Sequence, residues 1–302
     1  MYKRLELHNH TTESDAVFTC RELTDFMAAD GVDAFALTDH NTISGHYKVR
    51  EILEQTGIPI SCIYGMEYTT YYGHILCLNL TEYVPWENIN RHRPELLFQA
   101  AREKGALAGI AHPYSYGWPF AQGCRFEMAM TDYSCCDFIE IFNNPEPLHE
   151  VNEKGLLLWE KLVLEGWHLA ATCGMDLHGN SSLHGHYSTY IQGDTGGDIA
   201  KELADAIHSQ KTWVCKGPLL ETKAENGCLC FHLHQTGKPG YEPLPEERYL
   251  VTLRWAFGER TCRLDERIPL SAFGTDTRVI PKLFEDEDIL ENLVCVSPVV
   301  SL

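Results

Sequence analysis

Two histidines one residue apart, His8 and His10, begin the chemistry of this chain. Side chains two apart on an extended segment share a face, so both imidazoles point the same way and can grip one cation. The polar run Thr11-Thr12-Glu13-Ser14-Asp15 then brings in a carboxylate, Asp15. The device recurs downstream at His40, Glu67, His74 and His112, and ends in the pair Asp176 and His178. Imidazole nitrogen and carboxylate oxygen suit Zn, Mn or Fe, and the residues do not choose among the three. Buried imidazoles and carboxylates are costly unless paired or metal-bound. Such residues at the ends of successive apolar runs therefore point to a metal cluster rather than to core filling.

The elements that must carry these residues follow from periodicity. Residues 4–8 alternate apolar and polar and predict a first strand. A helix is expected over Cys20–Asp30, stopped by Gly31, and a buried strand over Val32–Thr38, ending in Asp39-His40. Further helices are expected near Ser44–Gln55, Pro94–Lys104, His149–Leu164 and Ile199–Ser209. Strands are expected at Ile58–Tyr64, Gly73–Leu80, Ala106–Ala111, Phe138–Phe142, His168–Cys173 and Thr212–Lys216, with a Gly/Ser/His-rich loop after His178. Alternating strands and helices predict an α/β fold of βα units on a parallel sheet, and seven or eight such strands fit a closed barrel better than an open sheet, although periodicity alone does not separate the two. Beyond Gly217-Pro218 the pattern turns to strands. A hairpin is expected around Glu225-Asn226-Gly227, with further strands at Tyr249–Trp255, Thr261–Arg267 and Leu293–Val296. The organisation expected is a barrel over 1–216 and a small β-rich C-terminal domain over 217–302. The collected candidates fall at or near C-terminal strand ends, where βα barrels place catalytic groups.

The 302 residues are 44% hydrophobic and 11% aromatic, as in a globular protein with a sizeable core. No apolar run is long enough to span a bilayer. Met-Tyr-Lys-Arg leads straight into the first strand without the apolar region and cleavage site of a secretion signal, so a cytoplasmic setting is expected. Lys and Arg number 24 against 43 Asp and Glu, a formal charge of −19. That surface repels a polyanion and argues against broad nucleic-acid binding, while a small anionic substrate is acceptable at a site whose cations dominate the local field. The twelve cysteines include no C-x-x-C and read as reduced, mostly packed residues. P-loop, G-x-G-x-x-G and G-x-S-x-G motifs are absent.

The stretches LHNHTTESD, ALTDHNT, GMEYTT with GHIL, AHPY, IEIFNN and GMDLH resemble, in order, the motifs of PHP-domain metal-dependent phosphoesterases. The resemblance covers residues 4 to about 216. It implies a distorted barrel of seven βα units, (β/α)7, with two to three divalent metal ions at the strand ends. It assigns one metal to His8, His10, Glu67 and Asp176, a second to Glu67, His74 and His112, and a third to Asp15, His40 and His178. Glu67, shared by two metals, and Asp176 would then be the carboxylates on which catalysis depends. The tail after Lys216-Gly217-Pro218-Leu219-Leu220-Glu221 resembles the β-rich extension of a carbaryl-hydrolase-like branch. The reaction implied is hydrolysis of a small phosphate ester, a nucleotide among the candidates, by attack of a metal-bound hydroxide on phosphorus. The alternative is a carboxyl or carbamate ester attacked in the same way.

Four residues are candidates for holding substrate or donating a proton. Arg125 follows His112-Pro113 in an irregular loop and has a guanidinium suited to phosphate. Asn143 ends a strand on the barrel rim, and His184 and His186 closely follow Asp176-Leu177-His178. Tyr114, Tyr116, Trp118 and Phe120 are candidate pocket walls. His232 and His234 repeat the strand spacing, but no matching cluster follows them, so they read as the polar face of a tail strand.

Overall fold

The computed structural model describes all residues except 88, 117, 118, 120, 144–149 and 276. Trp118, Phe120 and the expected helix start at His149 thus lie outside the described residues.

The first half of the chain alternates as expected. β1 (Tyr2–Glu6), α1 (Cys20–Ala29), β2 (Ala34–Leu37), α2 (Gly45–Thr56) and β3 (Ser61–Thr70) are followed by β4 (Gly73–Leu78), α3 (Glu95–Glu103), β5 (Leu107–Ile110), β6 (Phe138–Phe142), α4 (Glu150–Leu164) and β7 (Ala170–Cys173). Local signals start and stop the helices. Thr19 and Glu22 form a capping box at the start of α1, and Gly57 closes α2 in the left-handed conformation. β1, β2 and β3 pair in parallel, as do β5, β6 and β7.

Between those two sets β4 runs antiparallel to both neighbours, which departs from an all-parallel sheet. The cause is a tight hairpin. Thr70 faces Gly73 across Tyr71-Tyr72, and Gly73, at φ 137°, turns where a Cβ would meet Phe126 at 2.8 Å. The same pairing draws β3 on to Thr70, past the expected end at Tyr64, so Glu67 stands within a strand rather than after one.

The sheet closes on itself at the top. Past the end of β7, Leu177 accepts from the His10 amide at 3.0 Å and donates to the His8 carbonyl at 3.2 Å. Lower down, β8 (Ser188–Gln192) wedges in, antiparallel to β1. There the gap to β7 is bridged by hydroxyls. Thr189 Oγ1 accepts from the Cys173 amide at 2.9 Å and donates to the Cys173 carbonyl at 3.0 Å, and Thr212 Oγ1 donates to the Ala171 carbonyl at 2.7 Å. The result is a distorted barrel.

After α5 (Ile199–His208), β9 (Trp213–Cys215) pairs β8, and the chain becomes β-rich: β10 (Leu219–Glu225), β11 (Cys228–His234), β12 (Tyr249–Trp255), β13 (Gly258–Arg263), β14 (Ile268–Pro269), β15 (Arg278–Glu285), β16 (Leu293–Val296) and β17 (Val300–Ser301). β16 pairs β9, so one sheet runs from the barrel into this segment in the order β13-β12-β15-β16-β9-β8-β1 and on to β7. β10, β11 and β14 make a separate three-stranded sheet.

Four of these strands, β8, β14, β15 and β17, go beyond the sequence reading. Pro281 sits inside β15, and a proline normally argues against a central strand. Here β12 pairs one side and β16 and β17 the other. β13 spans Gly258–Arg263 rather than Thr261–Arg267, because Trp255 faces Gly258 across a two-residue turn at Ala256-Phe257.

Buried charges dock this segment. Glu160 on α4 takes Lys282 at 2.7 Å and Arg254 at 3.0 Å. The Lys238 ammonium is fully enclosed, 2.5 Å from Ser188 Oγ and 3.8 Å from Glu6. Among the described residues no helix is long and apolar enough to cross a membrane. All twelve cysteines are free.

Removing one partner of a buried ion pair strands the other. Lys282→Ala should therefore lower stability by about 3 kcal/mol, read as a lower urea midpoint. An unchanged midpoint would mean that Arg254 alone satisfies Glu160.

Candidate metal centre

The strand ends bring all nine expected ligands together. His8 and His10 lie just past β1, and His40 just past β2. Glu67 sits in β3, His74 at the start of β4 and His112 just past β5. Asp176 and His178 follow β7. Because β4 is reversed, the first turn of that strand, not its end, faces the cluster, which accounts for the position of His74.

Glu67 is the hub and is wholly buried. Its Oε1 lies 2.8 Å from His74 Nδ1 and 3.0 Å from His112 Nε2. Its Oε2 lies 2.8 Å from His40 Nδ1, 3.4 Å from His8 Nε2 and 3.5 Å from His10 Nε2. Asp176 Oδ1 lies 3.0 Å from His10 Nε2 and 3.4 Å from His8 Nε2. Asp15, the most exposed of the set, reaches His178 Nε2 at 3.3 Å and His40 Nε2 at 3.5 Å.

Donor atoms within 4.8 Å of one another fall into overlapping groups. His8, His10, Glu67 and Asp176 form one, His40, Glu67 and His74 another, His10, Asp15, His40 and His178 a third, and His8, His112 and Glu140 a fourth. The first matches the expected set. His10 joins the third as well, and His40 has a nitrogen towards each of two groups.

The donor set fits divalent cations. His8 Nε2 is buried with no hydrogen-bond partner among the described residues, although two carboxylates stand 3.4 Å away. His10 Nδ1 is likewise buried without one, and Glu67 Oε2, though 2.8 Å from His40 Nδ1, lacks hydrogen-bond geometry to any described residue. Neighbouring carbonyls orient other rings. His112 Nδ1 donates to the Cys124 carbonyl at 3.0 Å and His178 Nδ1 to the Asp176 carbonyl at 2.7 Å, so each turns its Nε2 to the cluster.

Without a cation, protons take its place. Burial alone would lower the His112 pKa, but its bond to Glu67 and the charges of Glu67, Asp176 and Glu140 push it up to about 9. His8 is driven well up in spite of burial by Glu140, Glu67 and Asp176. His40 is raised against burial by Glu67 above all. In His10 burial wins and lowers the pKa. Burial disfavours charge on Glu67 and Asp176 too, yet His8 and the other imidazoles hold both below the usual carboxylate range.

Two residues not anticipated as functional support the candidate ligands. Asp39, nearly inaccessible, accepts from the Thr11 amide at 2.7 Å, from Thr11 Oγ1 at 2.8 Å and from Ser14 Oγ at 2.8 Å, and so shapes the loop that carries Asp15. Glu140 in β6 contacts His8 and the His112 amide. The signal for each was a carboxylate beside a motif histidine or inside an otherwise apolar strand.

A cleft of about 370 Å³ opens over Asp176 and His178, lined also by Ser115, Tyr116 and Asn143. Asn143 Nδ2 donates to Asp176 Oδ2 at 3.4 Å. Arg125 is exposed, its Nε donating to the Ser115 carbonyl at 3.3 Å on the cleft's edge, one residue after the carbonyl that holds His112. His184 and His186 lie elsewhere. His184 Nε2 is 3.2 Å from Asp30 at the end of α1, towards the N-terminal ends of the strands, and His186 neighbours Lys238. The loop after His178 runs down the barrel, so closeness in sequence does not bring these two to the cluster. In the tail, His234 Nε2 meets Glu221 at 2.9 Å.

The family model for the PHP domain matches residues 6–113. An uncharacterised protein of Methanocaldococcus jannaschii is 30% identical over 151 residues, 46% of this chain and 81% of that protein. A 5′-3′ exoribonuclease of Haemophilus influenzae is 36% identical over 138 residues, 41% of this chain and 47% of that enzyme, so the match spans less than half of the exoribonuclease. A two-domain protein from Bacteroides vulgatus, containing a predicted PHP-like metal-dependent phosphoesterase, superposes over 100% of this chain and 95% of its own at a TM-score of 0.58 and 16% identity. At that identity the likeness is one of fold.

A cation needs the lone pair that the His112 proton occupies below pH of about 9. Zinc uptake at neutral pH should therefore release protons, and affinity should rise as pH rises towards that value. Calorimetric titrations in buffers of different ionisation enthalpy measure the release. Zinc binding with no proton released would remove His112 from the ligand set.

Proposed function

This chain belongs to the PHP-domain family of metal-dependent phosphoesterases, and from that premise we propose that it hydrolyses a small phosphate ester at a centre of two or three divalent cations. A nucleotide is among the candidate substrates. The observation that supports this reading best is the position of Glu67. One buried carboxylate divides five imidazoles between its two oxygens, as a bridge between adjacent cations requires.

The ligand groups proposed are His8, His10, Glu67 and Asp176; Glu67, His74 and His112; and Asp15, His40 and His178. Cations of the Zn, Mn or Fe kind held there would supply Lewis-acid charge and a water acidic enough to attack phosphorus near neutral pH. The chain's own residues do the rest by positioning. Asn143 holds the second oxygen of Asp176, which keeps that carboxylate turned to His8 and His10. Arg125 uses one N–H on Ser115, and its other donors, which have no partner among the described residues, can fork onto phosphoryl oxygens entering the cleft. The chain's −19 charge favours a small ester over a long polyanion. The exoribonuclease relatives make short oligonucleotides the natural second arm of a substrate panel. Carboxyl- and carbamate-ester substrates form the third arm, and turnover of those alone would overturn the phosphoesterase reading.

Glu67→Gln should be worse than His74→Ala. The first loosens every group that Glu67 joins, the second weakens one. Elemental analysis and phosphomonoester turnover check this, and equal metal content and activity in the two variants would count against a bridging role.

Turnover in oxygen-18 water should place the label on the released phosphate within a single turnover. Cys173 is a tempting nucleophile beside Asp176, but it is buried and burial pushes its thiol pKa far up. Cys173→Ala should keep most activity and Asp176→Asn should lose it. Label missing from the first phosphate would show attack by a protein group or on the leaving-group side.

A further inference from the structure

Glu140 stands in the middle of β6, 1% exposed, and belongs to none of the ligand groups proposed above. Both of its oxygens accept hydrogen bonds. Oε1 lies 2.9 Å from His8 Nδ1, and Oε2 accepts from the His112 amide at 3.0 Å. An ionised carboxylate has no proton to give, so Nδ1 of His8 must carry one. The lone pair left to His8 is on Nε2, the atom that faces Glu67 Oε2 and Asp176 Oδ1 at 3.4 Å each. Packing holds the pair in register. Gly174 leaves just enough room, since a Cβ there would stand 2.4 Å from His8 Cβ and 3.0 Å from Glu140 Oε1.

We propose that Glu140 is a positioning residue that fixes the ring tautomer of His8 and ties it to the backbone of His112, so that ligands of two different cations are set by one side chain. This rests on the metal reading above. The role needs a carboxylate. Glutamine has one acceptor oxygen where Glu140 uses two. If its amide faces His8, it donates to Nδ1, and the imidazole proton moves to Nε2, where no lone pair is left for a cation. If its amide faces β5 instead, the His112 N–H loses its acceptor. The competing role is direct ligation, because Glu140, His8 and His112 also offer donor atoms within 4.8 Å of one another.

The test uses the full chain labelled with nitrogen-15 in histidine and loaded with zinc. In the wild type, nitrogen–proton correlation should show a proton on His8 Nδ1 and zinc on Nε2. Glu140→Gln should bind the same number of zinc ions at saturation. The affinity of one of them, read by chelator competition, should fall about 10–100-fold, and the His8 Nδ1 proton should shift or exchange faster. Zinc on His8 Nδ1 in the wild type would overturn the proposal even if the variant fails to fold. So would unchanged zinc affinity in a folded Glu140→Gln, whatever its melting temperature, since a carboxylate with only a structural role predicts that result. Loss of one whole zinc equivalent at saturation would make Glu140 a ligand and overturn it too. A wild type that takes up no zinc would overturn the metal reading itself.

Discussion

The constraint on which this structure turns is a carboxylate with no access to water. Glu67 is buried inside a barrel and would be expensive to keep ionised there without compensating charge. Five imidazoles crowd its two oxygens, from the loops after β1, β2 and β5 and from the first turn of β4. Each of those elements must end where it does for its nitrogen to arrive. The barrel's departures from regularity serve that arrangement. β4 is reversed so that His74 can reach Glu67, and β1 and β7 pair again beyond their formal ends so that His8, His10 and Asp176 converge.

Much of this was legible in the chain. The proposed ligands stand out because polar residues at the ends of apolar strands break an otherwise apolar pattern, and His8-x-His10 and Asp176-x-His178 repeat the break in pairs. What stayed hidden depends on distant partners. Glu140 reads as a lone carboxylate inside an apolar strand, and Asp39 as a strand-end one, until His8, His112 and Thr11 are folded around them. β15 carries a proline that only its neighbours on both sides can accommodate. His184 and His186 misled for the opposite reason. Eight residues of loop are enough to leave the top of the barrel altogether, and sequence distance says nothing about direction.

The segment beyond residue 216 is bound in by charge as well as by the β9–β16 pairing. Lys238 reaches Glu6 and Ser188 inside the wall of the barrel, and Lys282 and Arg254 close on Glu160 of α4. Glu6 lies two residues before His8 on the same strand face. The C-terminal segment thus neutralises a carboxylate on the strand that delivers the first two ligands, and the barrel and its extension share one electrostatic problem.

Two of the proposed ligands stand on strained backbone. His112 has φ 26° and Asp176 φ 48°, values that cost a non-glycine residue of the order of 1–3 kcal/mol each unless the surroundings impose them. The surroundings do. His112 is held by its amide on Glu140, by its ring on Cys124 and, next in chain, by Pro113. Asp176 is held by Asn143 and by the pairing of Leu177 with His8 and His10 on its far side. Every one of these restraints comes from the protein's own atoms. Those restraints hold the two strand ends in the conformation that turns His112 Nε2 to Glu67 and Asp176 Oδ1 to His8 and His10.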